Sequence, residues 1–112
     1  MNARFETRLW IAQRATAAVL ALCVILHLIT MIVAVRGGLT ATEILMRTHG
    51  SIAWGAFYAT FVLAVAVHAP IGLRTIVAEW LQWRGRSANV ACLVLGLVLL
   101  ALGWRAVAAV TL

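Results

Sequence analysis

The stretch "ATAAVLALCVILHLITMIVAV", residues 15–35, decides the fold, because about 20 residues without a charged side chain are enough for a helix to cross a bilayer. The whole chain has 112 residues, of which 65% are hydrophobic, and its mean hydropathy is +1.06. A soluble domain is nearer half apolar. The sequence therefore predicts an integral membrane protein.

Two further apolar segments follow the first, and no soluble domain, linker or repeat lies between them. The chain is therefore expected to form one all-α membrane domain over residues 1–112. Its predicted spans are residues 15–35, 51–80 and 88–110.

Breaker and capping residues mark the first connection. Gly37 and Gly38 should end the first helix, which is expected to begin near Glu6. Either Thr40 or Thr42 could cap a short turn that follows.

The arginines predict an orientation, since the nine basic residues include no lysine. Residues at the N-terminal side and in the loop after span two share one face: Arg4, Arg8, Arg14, Arg74, Arg84 and Arg86. The other face has Arg36, Arg47 and Arg105. Cytoplasmic loops are enriched in basic residues, so the N-terminus is expected in the cytoplasm. The expected location is a bacterial inner membrane, which the chain would cross as a multi-pass protein. The charges form no solvated basic face, so nucleic acid is not expected as a partner.

Small residues recur at helical spacing, in the pair Gly55 and Ala59 and in the pair Gly96 and Gly103. Such faces let helices approach closely in lipid. They could pack inside the chain or against a second subunit. Three spans make a thin bundle, so we expect a bundle of three transmembrane helices that completes a larger one with a partner anchor subunit.

His68 is the main candidate for a functional residue, because a histidine inside a span is costly unless something satisfies it. Ala64 and Gly72, one turn away on either side, are small and could leave a slot for a flat porphyrin. Val65 and Ile71 would form its apolar walls. We therefore predict that His68 ligates a haem iron. The alternative is an imidazole hydrogen-bonded to a backbone carbonyl of a neighbouring helix.

Two other histidines have less clear roles. His27 lies roughly 10 Å deeper than His68, so the two are not expected to share one iron. His27 either binds a second haem or is a hydrogen-bonded packing residue. His49, at the other end of span two, is either an exposed interfacial residue or a contact for an outer haem or a quinol. One ligand per haem means that another subunit, or a symmetry copy of this chain, supplies the second, and bis-imidazole ligation favours electron transfer.

Arg74 and the two cysteines are the remaining residues for which the sequence predicts a role. Arg74 lies about 9 Å beyond His68, at a depth that suits haem propionates. Cys23 and Cys92 each lie in an apolar run without Cys-x-x-Cys spacing, so both are expected as buried thiols. The chain has no flavin motif and no cluster-forming cysteine set, so we do not expect catalysis by the chain alone.

Two motifs resemble those of a known family: "QRATAAVL", residues 13–20, and "HAPIGLRTIVAEW", residues 68–80. They are similar to the small cytochrome b membrane anchors, of the D and C types, of succinate dehydrogenase and fumarate reductase (respiratory complex II). The similarity covers nearly the whole chain. It implies a haem b-binding anchor that passes electrons between an iron–sulfur subunit and membrane quinone, either ubiquinone or menaquinone. It also implies a second anchor subunit and an FAD flavoprotein as partners.

The resemblance also implies roles for single residues. His68 matches the axial haem b ligand of a His-x-x-x-Gly segment, with Gly72 as its glycine. Arg74 matches the arginine that follows in anchors of the C type, and Arg14 matches one near the haem propionates and the quinone pocket. His27 is similar to the first-helix ligand of anchors that hold two haems.

The quinone contacts implied by the resemblance are Trp10, Arg14, Glu79 and Trp80, and three of them depart from the family pattern. Glu79 stands where the family has aspartate, Trp80 where anchors of the D type have tyrosine, and Trp10 where anchors of the C type have serine. An indole donates a hydrogen bond but does not titrate. Two other functions stay open: a cytochrome b anchor of a different membrane-bound dehydrogenase, and a haem-free structural or transport subunit.

Overall fold

The computed structural model describes residues 3–112, which are helical apart from short connections; residues 1 and 2 of the expected domain lie outside this range. Three of the helices in this range, α1, α3 and α4, are long and apolar enough to cross a membrane. The prediction of an all-α bundle with three membrane spans is confirmed. The helices are α1 (Ala3–Arg36), α2 (Ala41–Thr48), α3 (Ile52–Trp80) and α4 (Arg86–Thr111).

Helix α1 is longer than its apolar stretch, with 34 residues, and begins before the expected position near Glu6. An acidic side chain in the first turn stabilises the positive end of the helix dipole, and Glu6 lies there. At the other end, Gly38 adopts a φ of +64°, which glycine reaches without steric cost. The Leu39 amide donates to the Ala34 carbonyl at 3.0 Å and closes the helix.

Helix α2 begins with a capping box, in which Thr40, and not Thr42, is the N-cap residue. The Glu43 amide donates to the Thr40 hydroxyl at 3.2 Å, and the Thr40 amide donates to the Glu43 carboxylate at 3.4 Å. The far end of α2 is tied to the end of α4, because the Thr48 hydroxyl donates to the Val110 carbonyl at 2.6 Å.

Helices α3 and α4 form the central pair, and glycines of α4 allow their close approach. A Cβ at Gly96 would lie 2.9 Å from Cγ of Pro70 and 3.1 Å from the Ala66 carbonyl oxygen. A Cβ at Gly103 would lie 2.5 Å from a methyl group of Val62. These glycines therefore serve packing inside the chain.

Pro70 lies inside α3 without ending it. Its missing N–H leaves the Ala66 carbonyl without the usual donor. Gly96 of α4 sits over that carbonyl.

Helix α1 packs on α3 and leaves most of its surface uncovered. Within Ala3–Arg36, Cys23 is buried, whereas large apolar side chains such as Leu22 and Val33 are more than half exposed. Cys23 and Cys92 are both free and buried, as expected. The outer face of α1 is therefore apolar surface for lipid or another subunit.

The close approach of α3 and α4 gives a first prediction. Replacement of Gly96 by valine should lower the free energy of unfolding by about 1–3 kcal/mol, because the added atoms meet Pro70 and the Ala66 carbonyl. The measurement is unfolding by a denaturing detergent in micelles. The matched control is Ala101→Val, which places a valine at an exposed position of the same helix. Equal stability of the two variants would contradict the packing described here.

Candidate functional site

His68 lies half-buried on the side of α3 that faces α1. Its Nδ1 atom is 3.2 Å from the hydroxyl of Thr16. The partner is a side chain, and not the backbone carbonyl that the sequence left as the alternative. Within residues 3–112 the other ring nitrogen, Nε2, makes no hydrogen bond, and it is not sealed from the surface of the bundle. One nitrogen of the ring is therefore fixed by the fold and the other is open.

The slot expected beside His68 is partly filled by the chain itself. Ala64 is buried. Over Gly72 lies the amide of Gln13, since a Cβ at that glycine would be 3.1 Å from the Gln13 nitrogen. The amide oxygen of Gln13 is buried and has no hydrogen-bond partner in the described chain.

This arrangement fits a haem in two respects. The open nitrogen of His68 is a suitable ligand, and the group that occupies the slot, Gln13, is the flexible end of a side chain. A buried amide oxygen without a donor also costs free energy, so the chain alone leaves this region incomplete. Within residues 3–112, no group of three or more His, Cys, Asp or Glu could hold a metal ion by itself. Ligation of a haem iron would need only one imidazole from this chain.

Arg74 connects three helices at the same end of the bundle. Its Nε donates to Oδ1 of Asn89 on α4 at 2.9 Å, and its Nη2 pairs with Glu6 on α1 at 3.0 Å. The side chains of Arg74 and Glu6 are 25% and 48% exposed. An exposed pair of this kind contributes only about 0.2–1 kcal/mol, so an incoming anion could replace Glu6 at small cost.

A cavity of about 480 Å³ opens beside this cluster. It is named the polar cavity because several charged side chains line it. Glu79, expected at the quinone site, is one of the residues that line it. Trp80, expected beside it, is 80% exposed. The other lining residues are Glu6, Arg74, Thr75, Ala78, Trp83, Arg84, Gly85, Ala88 and Asn89.

The remaining residues expected near quinone lie together elsewhere on α1. The guanidinium carbon of Arg14 stands 5.3 Å from the ring centroid of Trp10, a cation–π contact. Trp10 is 61% exposed. Neither residue is among the described residues that line the polar cavity. The four expected quinone contacts are therefore not gathered in one cavity by this chain.

His27 lies at another level of the bundle. Its ring makes edge contacts with Tyr58 and Phe61, with centroid distances of 5.8 Å to each. Its Nδ1 atom is buried and has no hydrogen-bond partner among residues 3–112. Along α1 it is about 16 Å from Thr16, the residue beside His68. The two imidazoles therefore lie at different levels of the bundle.

An apolar cavity of about 530 Å³ adjoins His27, between α3 and α4. It is lined by Tyr58, Phe61, Val62, Val65, Leu99, Leu102, Gly103, Ala106, Val107 and Val110. His49 is exposed at the end of α2, where its amide donates to the Leu45 carbonyl at 2.8 Å.

Sequence reasoning missed three residues of the site: Gln13, Thr16 and Asn89. Gln13 and Thr16 are three positions apart and share a helix face, so two polar residues at the start of an apolar helix could have drawn attention to them. Asn89 stands near the start of α4, at the edge of the span predicted for residues 88–110, and only the pairing of α3 with α4 brings it to Arg74.

Comparison with known proteins agrees with this architecture. A family model, described as the succinate dehydrogenase/fumarate reductase transmembrane subunit, matches residues 1–108. No curated protein and no solved structure matches the chain. Since the match spans nearly all of the 112 residues, the chain belongs to the family of succinate dehydrogenase/fumarate reductase transmembrane subunits.

Proposed function

We propose that the chain is the haem b-binding membrane anchor of a succinate dehydrogenase/fumarate reductase-type complex. In this function it lets electrons pass between an iron–sulfur subunit and membrane quinone. The observation that carries the proposal is His68, which keeps one ring nitrogen hydrogen-bonded inside the bundle and the other open. Membership of a respiratory transmembrane-subunit family supports it.

His68 and the residues around it would each make a different contact with the cofactor. His68 would supply the axial nitrogen, and Gly72 would let the macrocycle lie close to α3. Arg14 and Arg74 are the cations available for its propionates, with Arg74 exchanging Glu6 for a propionate oxygen. Haem b, held by His68 and by a histidine from outside this chain, would supply one-electron transfer.

The second axial ligand would come from a second membrane-anchor subunit. His68 and His27 lie at different depths, so this chain offers one imidazole at each level. The uncovered apolar face of α1 is a surface where such a subunit could complete the bundle. We further propose that the end with Glu6 and Arg74 faces the bacterial cytoplasm, where the iron–sulfur subunit and the FAD flavoprotein would dock.

The quinone would bind at the same end. Glu79 and Arg74 line the polar cavity there. A guanidinium can donate to the carbonyl oxygens of ubiquinone or menaquinone, and a carboxylate can accept from the hydroxyl groups of the corresponding quinol. Trp10, Arg14 and Trp80 would take part from exposed positions at the rim. The indoles of Trp10 and Trp80 would donate hydrogen bonds. Proton transfer would rest with Glu79 or water.

Two other functions compete with this one. A cytochrome b anchor for another dehydrogenase would use the same residues with a different soluble subunit, and the family match favours the succinate dehydrogenase/fumarate reductase type. A haem-free structural subunit would leave the open nitrogen of His68 without a role.

The haem ligand gives the second prediction. In the purified complex, His68→Ala should abolish the b-type absorbance in a reduced-minus-oxidised spectrum, because no other imidazole of residues 3–112 lies at that level. His49→Ala is the control, since His49 is exposed at the end of α2, before α3 begins. A wild-type complex without b-type absorbance, or an unchanged spectrum in His68→Ala, would refute the proposed function.

The haem count gives the third prediction and concerns His27. If its unpaired Nδ1 belongs to a second haem site, His27→Leu should remove one of two haems per complex and leave the absorbance that depends on His68. Tyr58→Phe is the control, because it keeps the edge contact with His27. A single haem that persists in His27→Leu would leave His27 as a packing residue.

The polar cavity gives the fourth prediction. Glu79→Gln should raise the KM for quinol about tenfold, because the hydrogen bond that a quinol hydroxyl donates to the charged carboxylate is lost. The haem spectrum should not change. Glu43→Gln, on α2 at the opposite end, is the matched control for quinone kinetics. Identical KM values for the two variants would place the quinone elsewhere.

A further inference from the structure

The hydroxyl of Thr16 has more than one neighbour. It donates to the carbonyl of Ala12, one turn earlier on α1, at 2.7 Å. The carbonyl of Gln13 is farther away, at 3.2 Å, and so is Nδ1 of His68. A hydroxyl has one hydrogen and two lone pairs. The distance to Ala12 is the usual one for an O–H···O hydrogen bond, so the hydrogen points there.

Counting donors then determines the form of the imidazole. With its hydrogen used on Ala12, the Thr16 oxygen can only accept from Nδ1 of His68. Nδ1 must therefore carry the ring proton, and the neutral ring keeps its lone pair on Nε2. The opposite tautomer would place two lone pairs against each other at 3.2 Å and leave an N–H on the nitrogen that has no partner in residues 3–112.

We propose that Thr16 is the positioning residue of the haem ligand: its hydroxyl holds His68 in the Nδ1–H tautomer and presents the Nε2 lone pair to iron. This inference rests on the proposed function, in which Nε2 of His68 ligates the haem iron. It adds that the Thr16 hydroxyl prepares this nitrogen for ligation. Thr16 touches the ring of His68 and acts through it.

The physical effect of this contact is twofold. An acceptor on Nδ1–H fixes the orientation of the ring and raises the basicity of Nε2, as hydrogen-bond partners of metal-bound histidines commonly do. In a hydrocarbon environment, an Nδ1–H without a partner would also cost free energy, so removal of the hydroxyl makes the wrong tautomer competitive. His27 offers the contrast, since its Nδ1 atom has no partner in the described chain.

The test uses the intact complex and three substitutions. Thr16→Val removes the hydroxyl at nearly constant shape, and Thr16→Ser keeps it. Thr60→Val is the matched control, because Thr60 makes the same hydrogen bond to its own helix, at 2.8 Å to the Ala56 carbonyl, on an exposed face.

Thr16→Val should weaken haem retention about tenfold, the lower end of the usual effect of losing such a partner. It should also raise the midpoint potential, since a less basic imidazole stabilises ferric iron less. Thr16→Ser should keep haem retention and midpoint potential close to those of the wild type. Thr60→Val should change neither quantity. This inference fails if Thr16→Val and Thr60→Val show the same haem retention and the same midpoint potential. The proposed function stands in that case, provided that His68→Ala removes the haem.

A second measurement does not depend on haem. Solid-state ¹⁵N NMR of the full chain in lipid bilayers, with labelled histidine, should show Nδ1 of His68 protonated in the wild type and a mixture of tautomers in Thr16→Val. A proton on Nε2 in the wild type would overturn the role of Thr16. Absence of haem from the wild-type complex would instead overturn the proposed function.

Discussion

The close approach of α3 and α4 is the constraint on which the rest of the structure depends. Gly96 and Gly103 bring the two helices together, and Pro70 meets the first of them. In lipid, apolar side chains gain little by leaving the surrounding hydrocarbon, so contact of this kind supplies much of the association. It orients α3 so that Ala66 and Pro70 face α4 while His68 and Gly72 face α1. The imidazole and its partners are thus placed by packing on the opposite side of the same helix.

Polar groups inside the spans are satisfied mainly by their own helix. The hydroxyls of Thr60, Thr75 and Thr111 each donate to a carbonyl one turn earlier. This is the arrangement expected where water is excluded. Against that background, the unpaired oxygen of Gln13 and the unpaired Nδ1 of His27 stand out as groups that this chain does not satisfy. Both lie near the histidines for which a cofactor is proposed, and both are where an additional subunit or ligand would supply a partner.

Much of the fold could be predicted from the sequence because its determinants are local. Hydrophobic length predicted the three spans, and Gly38 and Thr40 marked the turn after the first. The site could be predicted only in part. His68 was identified as an unusual polar residue in a span, but its contact with Thr16 joins residues 52 positions apart and depends on how α1 rotates against α3. The pairing of Arg74 with Glu6 and Asn89 likewise requires three helices to meet, so sequence spacing pointed to propionates and not to this cluster.

The length of α1 has a consequence for how the protein sits in its membrane. Its 34 residues extend about 51 Å, well beyond a hydrocarbon layer of roughly 30 Å. A helix of this length exceeds the hydrocarbon layer, and the arginines near its N-terminus favour the lipid head groups as the place of its first turns. Arg4, Arg8 and Trp10 then reach the depth of the phosphates. The chain therefore carries its own anchor to anionic head groups, which sets how far the whole bundle can sink or tilt.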